Sequence, residues 1–459
     1  MSNSKRRERQ TAENIKIGDD ITHDDLLPVV MLLPNMEERL VWIDHGGAIA
    51  DMTTGRVCKK EIAVSKYAAS RFMDGTTVKQ TLNAWMKSDQ RLSVDVLAWV
   101  PGEPLFCTPP EANASARLGF NTWRGLRPMK TPKNWRKRIK PFLEHIKFLV
   151  PNTAERQRFL QWLAHILQRP GELPHTYYLM IAKKQGVGRN WVSGVLTRVL
   201  RGHVAAGVQL DPILNGGFNG RLSQKLLAIV DELKETSGDG RYKREMKLTS
   251  TITEELRHIN PKYGVESVEK NACRWLMFSN HFDALPFSNE DRRAIVILNP
   301  DKPKPPSYYK RLYKLLDNQQ FIGSVRKYLE TLSLEGFNPG ERAPMNEAKR
   351  QSINDMMGDM ERAAHDFKAE CTTPLTTIRA IRQFAEGCDA FDGNNSHLNR
   401  AIIDSGMTLT GRRIKVHTKN HSIVIVKDWT AEQVKKASPD ALLKATGLDN
   451  PYSAHGAST

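Results

Sequence analysis

Four short, uninterrupted apolar runs constrain the fold of this chain more than any other feature. The runs "TYYLMIA", "KLLAIVDE" and "CRWLMFSN" begin at residues 176, 225 and 273, and "RRAIVILN" begins at residue 292. Strands that are buried on both faces read as continuous apolar stretches rather than alternating ones. Helical and loop segments separate the runs, so we predict an α/β domain built on a mainly parallel sheet.

The segment "AKKQGVGRNW" follows the first run and precedes the helical pattern "VSGVLTRVL". A phosphate-binding P-loop lies between a strand and a helix in this way and reads G-x-x-x-x-G-K-[ST]. Gly188 stands at the last glycine, but Lys183 replaces the first, and Arg189-Asn190 replaces the Lys-Ser/Thr pair. Arginine keeps the positive charge on a larger planar group. A chance Gly-x-Gly in an ordinary loop is the alternative.

If the loop binds ATP, the phosphates would meet backbone N–H groups and the start of the next helix. The Asn190 carbonyl could serve Mg²⁺ or its water shell in place of a hydroxyl, and Lys183 or Lys184 could compensate for the missing lysine. The predicted nucleotide-binding residues are Lys184, Gln185, Gly186, Val187, Gly188, Arg189 and Asn190.

Polar residues end the second and third runs, where ligands of parallel sheets bind. We predict that Asp231 holds Mg²⁺ and that Glu232 orients and deprotonates an attacking water. Asn280 would contact the γ-phosphate or that water. Arg292 and Arg293 would reach the γ-phosphate of a neighbouring subunit. The alternatives are a solvated strand end, a turn cap and a pair of surface charges.

Composition favours a nucleic-acid partner. The chain has 459 residues, with 68 Lys and Arg against 51 Asp and Glu, a formal charge of +17 that is spread along its length. Its cysteines form no C-x-x-C pair and no zinc-ligand spacing, which indicates reduced thiols and no structural metal. No stretch approaches a membrane span, so we expect a cytoplasmic protein. The cysteines are Cys58, Cys107, Cys273, Cys371 and Cys388.

Changes in pattern along the chain predict its organisation. Residues 1–27 read as a basic disordered arm, 28–137 as a strand-rich N-terminal region and linker, 138–170 as a helical lead-in, 171–340 as the ATPase core, 341–430 as a helical and winged-helix-like domain, and 431–459 as a loose C-terminal appendage. In the lead-in, Phe159, Trp162, Leu163 and Ile166 repeat at helical spacing.

The order of motifs resembles that of the superfamily 3 helicases, AAA+ ring proteins of viruses, phages and plasmids. The nearest likeness is to the primase–helicase proteins of phages and prophages, and it also includes the helical lead-in, covering roughly residues 40 to 300. By position, residues 183–190 match motif A, Asp231 and Glu232 match motif B, Asn280 matches motif C, and Arg292 or Arg293 matches the arginine finger.

The resemblance implies a β-hairpin between motifs B and C whose basic tip touches DNA. The matching segment, "HINPKYGVESVEKNACRW", places Lys262 and Tyr263 near the tip and Lys270 on the return strand. Lysine neutralises phosphates and an aromatic ring stacks on bases, as single strands require. An ordinary surface hairpin is the alternative.

Residues 374–430 read as two helices and a hairpin, the layout of a winged helix. Its recognition helix would begin with Ser396 as N-cap and residues 412–427 would form the wing. His397, Asn399 and Arg400 would then reach duplex DNA. A winged helix that binds protein is the alternative.

These observations predict an ATP- and Mg²⁺-dependent DNA helicase or translocase for phage or prophage replication in a bacterial cytoplasm. It would form a homo-oligomeric ring, a hexamer, on single-stranded DNA. Residues 1–130 resemble no primase active site, which suggests a separate primase as partner. The alternative is a DNA-binding replication or loading factor that binds nucleotide and hydrolyses it weakly. A small-molecule phosphotransferase is a third hypothesis, which the charge and the tail oppose.

Overall fold

The computed structural model describes residues 29–110, 118–214, 219–233, 241–259, 267–285, 290–416 and 419–448. The protein is mixed α/β, with a parallel central sheet that follows a strand-rich N-terminal region, as the sequence predicts. The described residues include no helix that is long and apolar enough to cross a membrane.

The N-terminal region consists of short strands and short helices. One sheet has the order β3-β2-β1-β6, strands β4 and β5 form a hairpin, and β7, β9 and β8 are neighbours in another sheet. The elements are α1 (Leu33–Arg39), β1 (Leu40–Ile43), β2 (Ala48–Asp51), β3 (Val57–Lys59), α2 (Lys60–Lys66), β4 (Arg71–Asp74), β5 (Thr77–Gln80), α3 (Thr81–Lys87), β6 (Leu92–Val94), β7 (Val96–Trp99), β8 (Phe106–Cys107) and β9 (Gly119–Asn121).

The helical lead-in comprises α4 (Trp135–Arg138), α5 (Lys140–Leu149) and α6 (Thr153–Gln168). Asn152 caps α6, because its side chain accepts hydrogen bonds from the N–H groups of Ala154 and Glu155. The four residues at helical spacing, Phe159, Trp162, Leu163 and Ile166, are fully buried. The predicted helical spacing is confirmed, and these four residues pack in the main hydrophobic core.

The central sheet has the parallel order β11-β12-β15-β10-β16, so the strand that ends at Ser279 lies between those that carry the glycine loop and the acidic pair. The elements of this part are β10 (Tyr177–Ile181), α7 (Arg189–Val199), β11 (Val204–Ala205), α8 (Leu210–Leu214), a 3₁₀ turn (Gly220–Leu222), β12 (Leu227–Leu233), α9 (Arg241–Thr253), β13 (Leu256–Ile259), β14 (Ser267–Lys270), β15 (Arg274–Ser279) and β16 (Ala294–Leu298).

Both faces of this sheet are covered. Along β10, Tyr178 and Met180 enter a core shared with α6 and α7, whereas Leu179 and Ile181 enter a second core on the opposite face. Successive side chains of a strand point to opposite faces. Apolar residues are therefore needed at every position, which explains the uninterrupted runs in the sequence.

The hairpin β13–β14 joins the N-terminal region to the core. Its return strand β14 pairs in parallel with β7, with Val268 opposite Ala98 and Glu269 opposite Trp99. The resulting sheet has the order β13-β14-β7-β9-β8. The strand-rich region is thus not a separate unit, because one of its sheets is completed by the core.

The C-terminal part begins with helices that pack on the core and ends in a small α/β unit. The helices that pack on the core are α10 (Pro306–Lys314), α11 (Gln319–Thr331) and α12 (Glu347–Met356). The small unit consists of α13 (Asp359–Glu370), β17 (Leu375–Thr377), α14 (Ile378–Gly387), α15 (Asn395–Asp404), β18 (Thr408–Val416), β19 (Lys419–Ile425), α16 (Ala431–Lys436) and α17 (Pro439–Thr446). The three strands form one sheet in the order β17-β19-β18.

Residues 431–448 are not the loose appendage that the sequence suggested. Val434 of α16 and Leu442 of α17 are fully buried against Leu375, Ile414 and Ile423 of the three-stranded sheet. Both helices are short, but each contributes an apolar residue that the face of this sheet requires. They therefore belong to the core of the C-terminal unit.

Candidate functional site

The glycine loop, the acidic pair and Asn280 meet at one edge of the central sheet. The loop follows Ile181, which lies opposite Ser279 in the parallel pairing of β10 with β15. Strand β12 ends at the same edge, with Leu233 opposite Ser279. The carboxyl ends of parallel strands are where such sheets bind ligands. The predicted convergence of these three segments is present in the structure.

The loop that connects β10 to α7 depends on two glycines with positive φ. Gly186 has φ +85° and Gly188 has φ +95°, in the region that residues with a Cβ atom rarely adopt. Gly188 is the N-cap of α7. A Cβ atom on Gly188 would lie 2.7 Å from the His145 ring and 2.9 Å from the Tyr309 ring, whereas nothing lies within 4 Å of the same position on Gly186. Glycine is thus required at position 188 for its positive φ and for close packing, and at position 186 for its positive φ alone.

His145, on α5, contacts the backbone of the loop at Gly188. Its Nε2 lies 3.1 Å from the Gly188 carbonyl oxygen and its Nδ1 lies 3.1 Å from the Tyr308 hydroxyl. The neutral tautomer satisfies both contacts, because Nε2–H donates to the carbonyl and Nδ1 accepts from the hydroxyl. Burial lowers the pKa of His145 to about 4, so the ring is neutral at physiological pH. Sequence reasoning missed this residue, which lies 43 positions before Gly188.

The Arg189 side chain is bound to the ends of the neighbouring strands. Its guanidinium donates to the Met180 carbonyl oxygen at 2.9 Å, to the Ser279 carbonyl oxygen, and to Oδ1 of Asn280 at 2.7 Å. It also lies 5.6 Å from the centre of the Phe278 ring. The motif A arginine therefore binds the ends of β10 and β15 and holds the motif C amide.

The Arg189 side chain is half-buried. Burial lowers its pKa to about 10, and the negative charge of Asp231 acts in the opposite direction. The guanidinium remains charged at neutral pH, and the carboxylate of motif B lies close enough to stabilise that charge. Arg189 thus connects the glycine loop with the ends of the neighbouring strands, through hydrogen bonds to two strand-end carbonyl oxygens and Asn280 and through electrostatic attraction to Asp231.

A β-bulge lies at the acidic pair. Val230 is opposite Met277 and Leu233 is opposite Ser279, so two residues of β12, Asp231 and Glu232, face the single residue Phe278. Bulges bend a strand and redirect its side chains, and they are common next to active sites. Beyond the bulge, the Ser279 hydroxyl donates to the Leu233 carbonyl oxygen at 2.9 Å and fixes the two strand ends together.

The remaining polar side chains of the loop face solvent. Lys183, Lys184, Gln185 and Asn190 are exposed, and Val187 is buried beneath them. The Lys183 ammonium lies 5.8 Å from the centre of the Phe282 ring. Cations and helix N–H groups therefore surround the open side of the loop, an arrangement that suits phosphate groups.

Arg292 and Arg293 lie at the opposite edge of the sheet. They precede β16, whose first residue, Ala294, is opposite Tyr177 at the start of β10. At about 3.3 Å per residue, the length of the strand separates them from the loop of their own chain. Asp291 is anchored beside them, because the fully buried Lys349 of α12 donates to its carboxylate at 2.7 Å. A catalytic role for these arginines would have to be performed on a neighbouring subunit.

The predicted hairpin between motifs B and C is confirmed as a hairpin, but its tip lies outside the described residues. This applies to Lys262 and Tyr263. Lys270 is exposed at the end of β14, opposite Leu256, and thus at the base of the hairpin rather than near the turn. The base is firmly held: the buried Glu269 carboxylate accepts hydrogen bonds from the Ser223 hydroxyl at 2.6 Å and the Gln224 N–H at 2.9 Å.

The predicted contacts of the tail lie on α15. Asn394, not Ser396, is the N-cap of this helix, because its side chain accepts from the Ser396 N–H at 2.9 Å. His397 is paired with Asp392 at 2.6 Å and Arg400 with Asp404 at 2.9 Å. Asn399 lies between them and is half-buried. Two of the three predicted duplex contacts thus have acidic partners within the protein.

Metal-ligating residues are sparse. Among the described residues, no group of three or more His, Cys, Asp or Glu side chains is arranged to hold a metal ion. Magnesium is commonly held by one or two carboxylates together with substrate phosphates rather than by a protein cage. The Asp231 carboxylate and the Asn190 amide fit that second kind of site in their chemistry.

The fold and the site define a mixed α/β protein with a glycine loop, a bulged acidic strand end and an asparagine at one sheet edge. Residues 180–293, which contain all three features, match a protein family of unknown function, DUF5906. A DNA primase-polymerase from Nitratiruptor phage NrS-1 is 30% identical over 172 residues, 36% of this chain. The chain is thus homologous, over that part, to a phage primase-polymerase. It spans only 24% of the length of that relative.

Solved structures of the same phage protein share the fold. The apo C-terminal region of NrS-1, residues 305–718, aligns with a TM-score of 0.60 and 17% identity, covering 84% of this chain and 96% of that one. Its A form aligns with a TM-score of 0.57 and 16% identity over the same shares. The architecture described above therefore extends beyond the segment in which sequence similarity is detectable.

Proposed function

We propose that this protein is an ATP-dependent DNA helicase or translocase that acts in phage or prophage DNA replication. The observation that carries the proposal is the convergence of the glycine loop, the bulged Asp231-Glu232 pair and Asn280 on one sheet edge, connected by Arg189. Nucleotide-hydrolysing proteins need a phosphate cradle, a magnesium carboxylate and a residue that orients the attacking water at one place.

Each part of this edge has a role in the proposal. Backbone N–H groups of residues 185–190 and the Lys184 ammonium bind the phosphates. Asp231 and Asn190 would hold Mg²⁺, which would neutralise charge on the phosphates when bound. The Glu232 carboxylate accepts a proton from the attacking water, and the Asn280 amide positions that water or the γ-phosphate.

Assembly into a homo-oligomeric ring, a hexamer, is part of the proposal. Arg292 and Arg293 lie at the far edge of the sheet from their own glycine loop. An arginine in that position can stabilise phosphate charge only in a neighbouring subunit, where arginines of this kind increase turnover by several orders of magnitude. The ring would operate in the bacterial cytoplasm, with a separate primase as partner.

The DNA contacts follow from charge and position. The formal charge of +17 favours a polyanion, and the relative that is similar over 172 residues is named a DNA primase-polymerase. Lys262, Tyr263 and Lys270 of the hairpin would contact single-stranded DNA. His397, Asn399 and Arg400 would contact duplex DNA, with the first and last of these leaving their acidic partners.

Steady-state ATP hydrolysis by the wild-type protein and Glu232→Gln, with and without an oligothymidylate, tests the proposal. We expect turnover that single-stranded DNA stimulates and that the substitution reduces at least about 100-fold, because the water loses its proton acceptor. Asp89→Asn, on an exposed carboxylate of the N-terminal region, is the matched control. Equal inactivity of wild type and Glu232→Gln would reject a helicase.

A second candidate is a replication or loading factor that binds nucleotide and hydrolyses it weakly. The contact between Arg189 and Asn280 favours it, because this contact occupies both the motif A cation and the motif C amide. Arg189→Lys with Asn190→Thr would release Asn280 and restore a compact ammonium and a hydroxyl. A rise in turnover of at least about ten-fold over wild type would support this candidate. Unchanged turnover would count against it.

A further inference from the structure

A three-residue repeat of apolar and basic side chains runs through the segment that joins the N-terminal region to α4. The sequence "WRGLRPMKTPKNWR", residues 123–136, has an apolar residue followed by a basic one in every triplet. The apolar positions are Trp123, Leu126, Met129, Pro132 and Trp135, and the basic positions are Arg124, Arg127, Lys130, Lys133 and Arg136. We refer to residues 123–136 as the basic strap.

The two sets of side chains are separated in the structure. All five apolar residues of the strap are half-buried, and Trp123, Leu126 and Met129 pack against the main hydrophobic core. All five basic residues are exposed. Residues 122–132 form neither helix nor strand. The three-residue repeat therefore places apolar side chains toward the protein and basic side chains toward solvent without regular secondary structure. The strap is held by its apolar residues and presents a row of cations to solvent.

Close packing fixes the path of the strap. A Cβ atom on Gly323 of α11 would lie 2.2 Å from the Lys130 carbonyl oxygen and 4.0 Å from Cδ of Pro132. Only a residue without a side chain allows the strap backbone to approach the helix this closely. At the other end, the Trp123 N–H donates to the Asn121 side chain at 3.1 Å. The row of cations is therefore positioned by the fold.

The strap forms one wall of a groove of about 980 Å³. The opposite wall is the end of α7 and the start of α11, and the lining contains five cations and no acidic side chain among the described residues: Arg127, Lys130, Arg198, Arg201 and Arg326. Two acids lie nearby, since Asp317 is 3.4 Å from Arg198 and Glu330 is 2.5 Å from Arg326. The start of α11, with its N–H groups and partial positive charge, adds to the potential of the groove.

We propose that the basic strap and this groove bind the phosphate backbone of single-stranded DNA. Residues 112–143 contain no Asp or Glu, so the cations of the strap have no acidic neighbours in sequence. Trp135, half-buried with the Arg136 guanidinium 4.5 Å from its ring centre, provides the aromatic and cation–π surface on which bases stack.

This surface is distinct from the hairpin and from α15. It deepens the proposed function by adding a second path for the same DNA, and it rests on that function only for the class of partner. Because the strap lies on the segment between the N-terminal region and the core, DNA bound there would contact the molecule at a place that the hairpin tip and the glycine loop do not include.

Fluorescence anisotropy with a labelled 30-nucleotide oligothymidylate, without nucleotide and across a salt titration, tests the proposal. The strap variant is Arg127→Gln, Lys130→Gln, Lys133→Gln and Arg136→Gln in the full chain. The matched control neutralises four exposed cations of the N-terminal region, Lys59, Lys60, Arg71 and Lys87. A second control exchanges Arg and Lys at the four strap positions and keeps the charge. Thermal unfolding verifies that each variant is folded.

We expect the strap variant to bind at least about ten-fold more weakly near 0.1 M salt, with a salt dependence that is shallower by about three in the log–log slope, because four phosphate contacts are lost. Both controls should retain wild-type affinity. An unchanged affinity and slope in the strap variant would overturn the proposal, as would a wild type that binds no oligothymidylate. Equal losses for duplex DNA and polyglutamate would reduce the strap to a general polyanion surface and also overturn it.

The failure of this proposal and of the proposed function are distinguishable. The anisotropy assay contains no ATP, so a protein that binds DNA through the strap but hydrolyses nothing would retain this inference and lose the helicase. A protein whose DNA-stimulated hydrolysis is unaffected by the strap variant would retain the helicase and lose this inference.

Discussion

The conformation of Arg189 determines how the glycine loop can act. A planar guanidinium can donate to several acceptors at once, and here it reaches two strand-end carbonyl oxygens and the Asn280 amide. A lysine ammonium at the same place is a compact charge that would more readily face a phosphate. The arginine therefore stabilises the sheet edge, and a contact of this side chain with the proposed nucleotide would have to replace or build on these hydrogen bonds.

The two loop glycines offer a matched test at the same scale. Alanine at either position carries the cost of a positive φ, about 1–2 kcal/mol. Only at Gly188 does the new Cβ atom also meet His145 and Tyr309. We expect Gly188→Ala to lower the free energy of unfolding by at least about 1–3 kcal/mol more than Gly186→Ala does, because the tightly packed rings must move.

Chemical unfolding of the two variants measures this difference directly. Nucleotide affinity should follow the same order if the loop binds phosphates as proposed, since the substitution displaces this loop. Equal destabilisation by the two alanines would show that His145 and Tyr309 do not support the loop.

Sequence could predict some of these residues and not others. Asp231 and Asn280 could be predicted because each ends an apolar run in the sequence. The structure brings both strand ends to the loop. His145 could not be predicted from the sequence, because a single histidine in an apolar helix is usually a packing residue. The direction of the Arg189 side chain depends on carbonyl oxygens of two different strands, which no local pattern reveals.

At the scale of secondary-structure elements, the hairpin β13–β14 connects two regions of the chain. Its return strand extends an N-terminal sheet, and Glu269 is bound to Ser223 and Gln224 just before β12. The family resemblance implied a hairpin in this segment, and the structure contains one. Its pairing with β7 could not be predicted, because that contact joins residues about 170 positions apart and depends on the packing of the whole region.

The tail illustrates the same limit. The two helices and the hairpin of residues 374–430 follow from local patterns, and the structure contains them. The short segments that became α16 and α17 have too few apolar residues for a helical repeat to be recognised. The burial of Val434 and Leu442 depends on the sheet that these helices cover, which no local pattern reveals.

Gly323 provides a test of how α11 and the basic strap pack. A methyl group at this position would overlap the Lys130 carbonyl oxygen, whereas a Cβ atom on Gly387 of α14 meets nothing within 4 Å. We expect Gly323→Ala to destabilise the protein by about 1–3 kcal/mol through overpacking. Gly387→Ala should be neutral or stabilising by up to about 1 kcal/mol, because alanine favours helix.

Thermal or chemical unfolding of both variants provides the comparison. If Gly323→Ala were as stable as Gly387→Ala, the close approach of the strap to α11 would be wrong.

At the scale of the whole molecule, two buried histidines link stability to pH. Burial lowers the pKa of both His145 and His165 from 6.5 to about 4, and the neighbouring Arg274 guanidinium adds to the effect at His165. Between these values the unfolded chain binds protons that the folded chain does not. Stability from each histidine is thus complete above pH 6.5 and is lost as the pH falls through 4, by up to about 3 kcal/mol.

His145→Gln should therefore flatten the decline in the free energy of unfolding between pH 6.5 and 4, although it lowers stability at pH 7 through the lost contacts to Gly188 and Tyr308. His45→Gln, on an exposed ring, is the control and should leave the slope unchanged. Urea unfolding at several pH values measures the slopes. A slope that His145→Gln does not alter would show that this ring is not buried in its neutral form.

The charge of the molecule and its mainly parallel sheet were the most predictable properties at this scale. The excess of basic residues and the apolar runs are present in the sequence itself. The distribution of that charge was not apparent, because the row of cations on the strap requires its apolar partners to be buried. The similarity in fold to the C-terminal region of NrS-1, at 17% identity, likewise exceeds what local sequence patterns could show.

Mg²⁺-dependent binding of a fluorescent ATP analogue tests the proposed nucleotide site, because both functional candidates require such a site at the edge formed by the loop, Asp231 and Asn280. We expect saturable binding by the wild type that Mg²⁺ strengthens and that Asp231→Asn weakens at least about ten-fold in the presence of Mg²⁺. Asp89→Asn should bind like the wild type. Wild-type protein that binds no nucleotide, or an Asp231→Asn variant with unchanged Mg²⁺-dependent affinity, would contradict the proposed site.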